Sequence, residues 1–254
     1  MASEEVQVAS VVPAWVGAVG VAALGALGVA AVWSVAGPAP IGRVTALAYL
    51  GVSAALLVGA MRRRGVRRLG WANVITATRS AMVGIITGLV AASFVGAIPV
   101  PLLIGLVVPA LVLDAVDGWV ARRTGSMSEL GARFDMEVDA FLLLVLSVYV
   151  APMLGPWVLA IGLMRYAFVV AGWMLPWMRV ELPPRYWRKV VTAVQGIALA
   201  VAASGLVPVL AAVLVAIALG LLVESFGRDV AWLAVHRMRS LGRAPARRAE
   251  AEAP

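Results

Sequence analysis

"LDAVDGWVARRTGSMSELGARFDMEVDAF", Leu113–Phe141, decides how the rest of the chain is read, because it is a charged island among segments of membrane-like apolarity. Four of the five aspartates in the chain, Asp114, Asp117, Asp135 and Asp139, fall within it. On a helix, Asp114 and Asp117 lie three residues apart and Asp135 and Asp139 four apart, so each pair projects from one face. Gly125 and Ser126, between the pairs, are turn formers that allow two helices to fold back antiparallel. Four carboxylates then converge at one end of a helical hairpin, where their repulsion requires a partner. A divalent cation, or a pair of them, is the economical one, and oxygen-only ligands favour hard ions such as Mg²⁺ or Mn²⁺. The plainer alternative is an ionic girdle in which the aspartates pair with Arg122, Arg123 and Arg133 nearby.

Outside this island the chain is oily: 63% of its 254 residues are hydrophobic and only 13% charged, about half the charged share of a soluble domain. Mean hydropathy is +0.98, which marks an integral membrane protein. Cysteine is absent and His236 is the single histidine, so thiolate chemistry, disulfides and His-ligated metal centres are excluded. Apolar runs long enough to cross about 30 Å of hydrocarbon occur near 11–35, 41–60, 74–97, 99–119, 133–154, 156–178, 190–206 and 208–226. They predict an all-α integral membrane protein with about eight transmembrane helices, since lipid leaves no partner for open backbone groups.

The net charge of +8 comes from 21 basic residues, of which only Lys189 is a lysine, gathered in short clusters after every second span. Those clusters are "MRRRGVRR", "ARRTGSMSELGAR", "RVELPPRYWRK" and "HRMRSLGRAPARR", while the alternate links carry Arg43 alone. The positive-inside rule then places both termini and the aspartate island on the cytoplasmic side of the cell membrane. Such short runs beside spans suit anionic lipid rather than nucleic acid. The acidic start "MASEEVQ" lacks the basic region of a signal peptide, so the first apolar stretch is expected to be retained. The cluster ending at Arg68 divides an N-terminal two-helix extension, 1–68, from a six-helix core, 69–227. Residues 228–254 follow as an amphipathic cytoplasmic segment and a basic tail expected to be disordered beyond Ala244. The extension stretch "VGAVGVAALGALGVAAV" spaces small residues as close-packing helices do.

The stretch "DAVDGWVARRTGSMSELGARFDMEVD" resembles the signature of the CDP-alcohol phosphatidyltransferase family, D-x-x-D-G-x-x-A-R, eight residues, then G-x-x-x-D-x-x-x-D. The resemblance implies a six-helix core, here about Trp71 to Phe226, that moves a phosphate-linked group from a CDP-alcohol to a hydroxyl with release of CMP. It further implies Asp114, Asp117, Asp135 and Asp139 at a site for two Mg²⁺ or Mn²⁺ ions, with Asp139 also the catalytic base. Gly118, Ala121, Arg122 and Gly131, with Asp117, would line the nucleotide. Upstream, "WANVITATRS" resembles the family's N-x-x-T-x-x-R and adds Asn73, Thr76 and Arg79 to that nucleotide site. From the residues alone, Asn73 as a helix cap with Arg79 snorkelling fits equally well.

Arg165 is an intramembrane charge that needs an acid, a cavity or a substrate anion, and Glu224 is a candidate partner. Arg185, Arg188 and Lys189 either fix topology or, with Arg133 and Arg165, grip a phosphate on the acceptor. Where glycerol phosphate and inositol phosphate branches of the family commonly carry a basic residue after the last aspartate, this chain has Ala140. The expected partners are CDP-diacylglycerol or another, soluble CDP-alcohol, a hydroxyl acceptor and membrane lipids, with room for a homodimer and none for nucleic acid. A cation transporter is the competing class, but it calls for acids near mid-bilayer on broken helices rather than at span ends.

Overall fold

The computed structural model describes residues 14–63, 71–124, 129–180, 182–183 and 185–251, with side chains within 20–63, 75–114, 116, 131–180, 182–183 and 185–238. Among them are eight α-helices: α1 Ala14–Ala36, α2 Pro40–Arg63, α3 Trp71–Ser93, α4 Val100–Thr124, α5 Glu129–Leu154, α6 Leu159–Met174, α7 Tyr186–Ser204 and α8 Pro208–Ala251. Glycine and proline break the apolar runs. Gly37, Gly155 and Gly205 adopt positive φ of 53°, 108° and 69°, a region other residues enter at a cost. Pro40 and Pro208 then open helices, where a missing N–H removes no intrahelical bond.

Among the described residues, five helical stretches are long and apolar enough to cross a bilayer: Pro40–Arg63, Ile75–Ser93, Gly131–Leu154, Pro156–Met174 and Pro208–Met238, with shorter apolar helices over Gly20–Ala36 and Val100–Asp114. The all-α membrane architecture is therefore as expected. Helix α7 is not among these stretches, because Arg188 and Lys189 in its first turn shorten its apolar length. Helix α8 runs unbroken through Gly227 and past Ala244 to Ala251. A helical glycine costs only about 1 kcal/mol, and the Glu224–Arg228 pair bridges this one. The tail's alanines, arginines and glutamates are themselves good helix formers.

The chain divides into two compact units, Met1–Tyr149 and Val150–Pro254, with the division inside α5. In the first, α3 packs on α1, α2 and α4, so the two leading helices join the same unit as the first helix of the expected core. Close approach at glycines makes this packing. A Cβ on Gly88 would lie 2.5 Å from the Gly42 carbonyl oxygen and 2.8 Å from both Ala46 and Trp33, so the α2 and α3 backbones touch there. Gly25 and Gly28 of α1 sit similarly against Leu50, Ala81 and Ile85, as the small-residue spacing predicts. In the second unit α7 packs along α8, and Phe168 meets Phe226 edge-on at 5.4 Å. Leu24, Val52, Leu56, Val209 and other large apolar side chains face outward, as lipid contact requires.

Candidate active site

The first unit gathers three helices around one guanidinium. Arg79 projects from α3 with its side chain 0% exposed, an arrangement tolerated only with charge partners at hand. Its Nη1 donates to Asp114 Oδ1 of α4 at 2.5 Å. Its Nη2 bonds Asp135 Oδ1 of α5 and lies 2.9 Å from Asp139 Oδ1, one turn further along the same helix. The fixed fork of the guanidinium suits this bridging, which a single ammonium could not reproduce. Arg79 therefore points inward to the acids rather than snorkelling, and brings an arginine of α3 among them.

The carboxylates of Asp114, Asp135 and Asp139 keep 41%, 28% and 24% exposure, so the cluster is sealed on the arginine side and open opposite. Among the described contacts, the Arg79 guanidinium meets three acids, a balance that suits a further cation. One oxygen from each acid lies within 4.8 Å of the others. Opposed ligands on an ion with bonds of about 2.1 Å stand roughly 4.2 Å apart and adjacent ones about 3 Å, so the three oxygens would draw closer to share one hard divalent ion. The donor set, all carboxylate oxygen, also suits such an ion.

The other expected residues fall as follows. Thr76, one turn before Arg79, is buried on the same helix, and Gly131 is half-buried two residues inside α5. The backbone of α4 stays helical through Asp117, Gly118, Ala121 and Arg122, and that of α3 through Asn73, but these five side chains lie outside the described residues. Arg133 is exposed on the first turns of α5, and Ala140 is buried.

In the second unit, Arg165 is half-buried on α6 and Lys189 exposed on α7. Arg185 and Arg188 converge on Asp229 of α8: Arg188 Nε is 3.0 Å from Oδ2, and Arg185 Nη1 is 3.8 Å from Oδ1. Arg188 Nη2 also donates to the Pro183 carbonyl at 2.8 Å, tying the loop down. Glu224, expected near Arg165, accepts from Trp187 Nε1 at 3.0 Å and pairs with Arg228. Asp229 is a residue the sequence reading passed over. It was detectable, because it falls at helical spacing among Leu222, Ser225 and Leu233 on the buried face of α8. An open apolar cleft lined by Phe168, Gly172, Trp173 and Met178 carries one charge, Arg179, which is engaged with the Gly172 and Trp173 carbonyls at the end of α6.

The family model of the CDP-alcohol phosphatidyltransferases matches residues 69–224, more than half of the chain and the stretch that carries Arg79 and the carboxylates. The chain belongs to that family, whose members carry out divalent-metal-dependent transfer from a CDP-alcohol donor to an alcohol acceptor. Neither the curated proteins nor the solved structures give a match.

Proposed function

We propose that the protein transfers the phosphatidyl group of CDP-diacylglycerol to the hydroxyl of a polar acceptor, a phosphorylated polyol by class, and releases CMP. The observation that carries this reading is the convergence of Asp114, Asp135 and Asp139 on one side of the buried Arg79. Asp114, Asp117 and Asp135 would hold the metal, and Asp139 would serve a second ion and the acceptor. When bound, Mg²⁺ or Mn²⁺ polarises the diphosphate and offsets the charge of the departing CMP. Asp139 takes the acceptor hydroxyl proton as that oxygen bonds to the phosphorus bearing diacylglycerol, and the bond from this phosphorus to the CMP oxygen breaks. Asn73, Thr76, Arg79, Gly118, Ala121, Arg122 and Gly131 border the nucleotide, the small residues leaving space for it.

For the acceptor, the first unit offers Arg133, and the second, by itself, Arg165, Arg185, Arg188 and Lys189. Two guanidiniums on the single carboxylate of Asp229 leave a net positive charge, which supports anion recognition by that cluster. The basic loops support a cytoplasmic active site and cytoplasmic termini in the cell membrane. The test is to incubate purified protein with Mn²⁺, CDP-diacylglycerol and a panel of hydroxyl acceptors, including glycerol phosphate and inositol phosphate, and to identify the product by mass spectrometry. A new phospholipid together with CMP is expected. CMP formed only from a soluble CDP-alcohol would replace the donor, and no CMP from any donor would overturn the reading.

A further inference from the structure

Helix α2 precedes the stretch that matches the family, yet it touches two of the three helices of the cluster, α3 and α5, beside the functional residues. Toward α3, Tyr49 Oη lies 3.3 Å and Ser53 Oγ 2.9 Å from the hydroxyl of Ser80, which directly follows Arg79. Toward α5, the Tyr49 ring stacks on Phe141 with centroids 4.9 Å apart and planes 27° from parallel, two residues beyond Asp139. One end further along α2, Leu57 and Met61 pack against Phe134, which directly precedes Asp135. Phe134 and Phe141 are seven residues apart, two turns, and so share one face of α5. Tyr49 is itself seated against the α3 backbone, since a Cβ on Gly84 would lie 2.9 Å from its ring.

We propose that α2 is a brace that sets α3 against α5, with Tyr49 as its main positioning residue, and that this brace holds Arg79, Asp135 and Asp139 in the register the metal needs. The proposal rests on the reading of those acids as metal ligands. Its physical basis is the narrow tolerance of carboxylate coordination: a helix sliding by a fraction of a turn carries its oxygens out of bonding range. Tyr49 is suited to prevent sliding because one side chain touches α3 through its hydroxyl and α5 through its ring. The other end of the α1–α2 pair is separate. Trp33, Gly42 and Gly88 pack there, and Gly88 is nine residues from Arg79, about 13 Å along the helix.

The two ends make the experiment selective. Mn²⁺ binding to full-length protein, without nucleotide, is followed by electron paramagnetic resonance for the wild type, Tyr49→Ala, Ser80→Ala and Trp33→Phe. Contacts behind metal ligands typically govern about 10- to 100-fold in affinity, so Tyr49→Ala is expected to weaken Mn²⁺ binding about tenfold or more and Ser80→Ala by less. Trp33→Phe is expected to lower the thermal midpoint while keeping the Mn²⁺ affinity within about twofold, because it loosens packing remote from the ligands. Wild-type affinity in Tyr49→Ala, or equal losses in Tyr49→Ala and Trp33→Phe, would overturn the brace. If Tyr49→Ala does not assemble, Tyr49→Leu and Ser80→Ala answer the same question by the same criterion. A wild type that binds no Mn²⁺ would instead remove the metal reading on which the brace depends.

Discussion

Arg79 of α3 and Asp139 of α5 meet at 2.9 Å while the arginine side chain is wholly enclosed. The contact joins two separate motifs of the sequence, the N-x-x-T-x-x-R stretch and the last aspartate of the signature, into one electrostatic unit. The same guanidinium reaches Asp114, so α3, α4 and α5 are tied at one point.

Removing that charge should expose the repulsion it balances. Breaking a buried ion pair by deleting one partner costs about 3–5 kcal/mol, and the partial exposure of the carboxylates reduces this to about 1–3 kcal/mol for Arg79→Ala. The expected result in thermal unfolding is a lower midpoint in chelator, partly recovered by Mn²⁺. Arg79→Lys should behave like Arg79→Ala in chelator, since one ammonium cannot bridge three acids. A chelator midpoint equal to wild type in either variant would show that the acids do not need the arginine.

Glycines in α2 and α3 differ sharply in what a methyl group would meet. Gly88→Ala drives a Cβ against the Gly42 carbonyl oxygen and should cost about 1–3 kcal/mol by overpacking. Gly51→Ala meets nothing within 4 Å and should be neutral or stabilise by up to about 1 kcal/mol. Unfolding midpoints of the two variants check the ordering, and a Gly88→Ala protein as stable as Gly51→Ala would refute the close helix contact.

Asp229 gives the second unit a comparable test. Asp229→Asn keeps the shape but removes the charge that orients Arg188, which is about a third exposed, so a modest loss of about 1–2 kcal/mol is expected. If the arginines serve the acceptor, the acceptor KM should shift by more than the KM for the nucleotide donor. Equal shifts in both constants would leave the cluster a structural tie alone.

How much of this was legible beforehand depends on the range over which each feature is encoded. The helices and the paired faces of Asp135 and Asp139 follow from local periodicity, and Asp114 was legible as a candidate from the signature spacing. The bond from Arg79 to Asp114 and Asp135 was not, because helical spacing names the face of a helix but not the neighbour that face meets. The same limit hid Asp229, whose partners lie on α7, and the brace from Tyr49 to Ser80 and Phe141. The length of α8 beyond its apolar run was not legible, because a polar stretch does not name the end of a helix, whereas the Glu224–Arg228 pair and helix-forming residues carry it onward through Gly227.

The central claim is that the acid cluster performs metal-dependent transfer with Asp139 as base. The most direct measurement is CMP release from CDP-diacylglycerol and acceptor, with Mn²⁺ or chelator, by wild type and folded Asp139→Asn. Release that requires Mn²⁺ and falls by about 10²- to 10⁴-fold in Asp139→Asn is the predicted result. Undiminished release by Asp139→Asn, or release by wild type that continues in chelator, would contradict it.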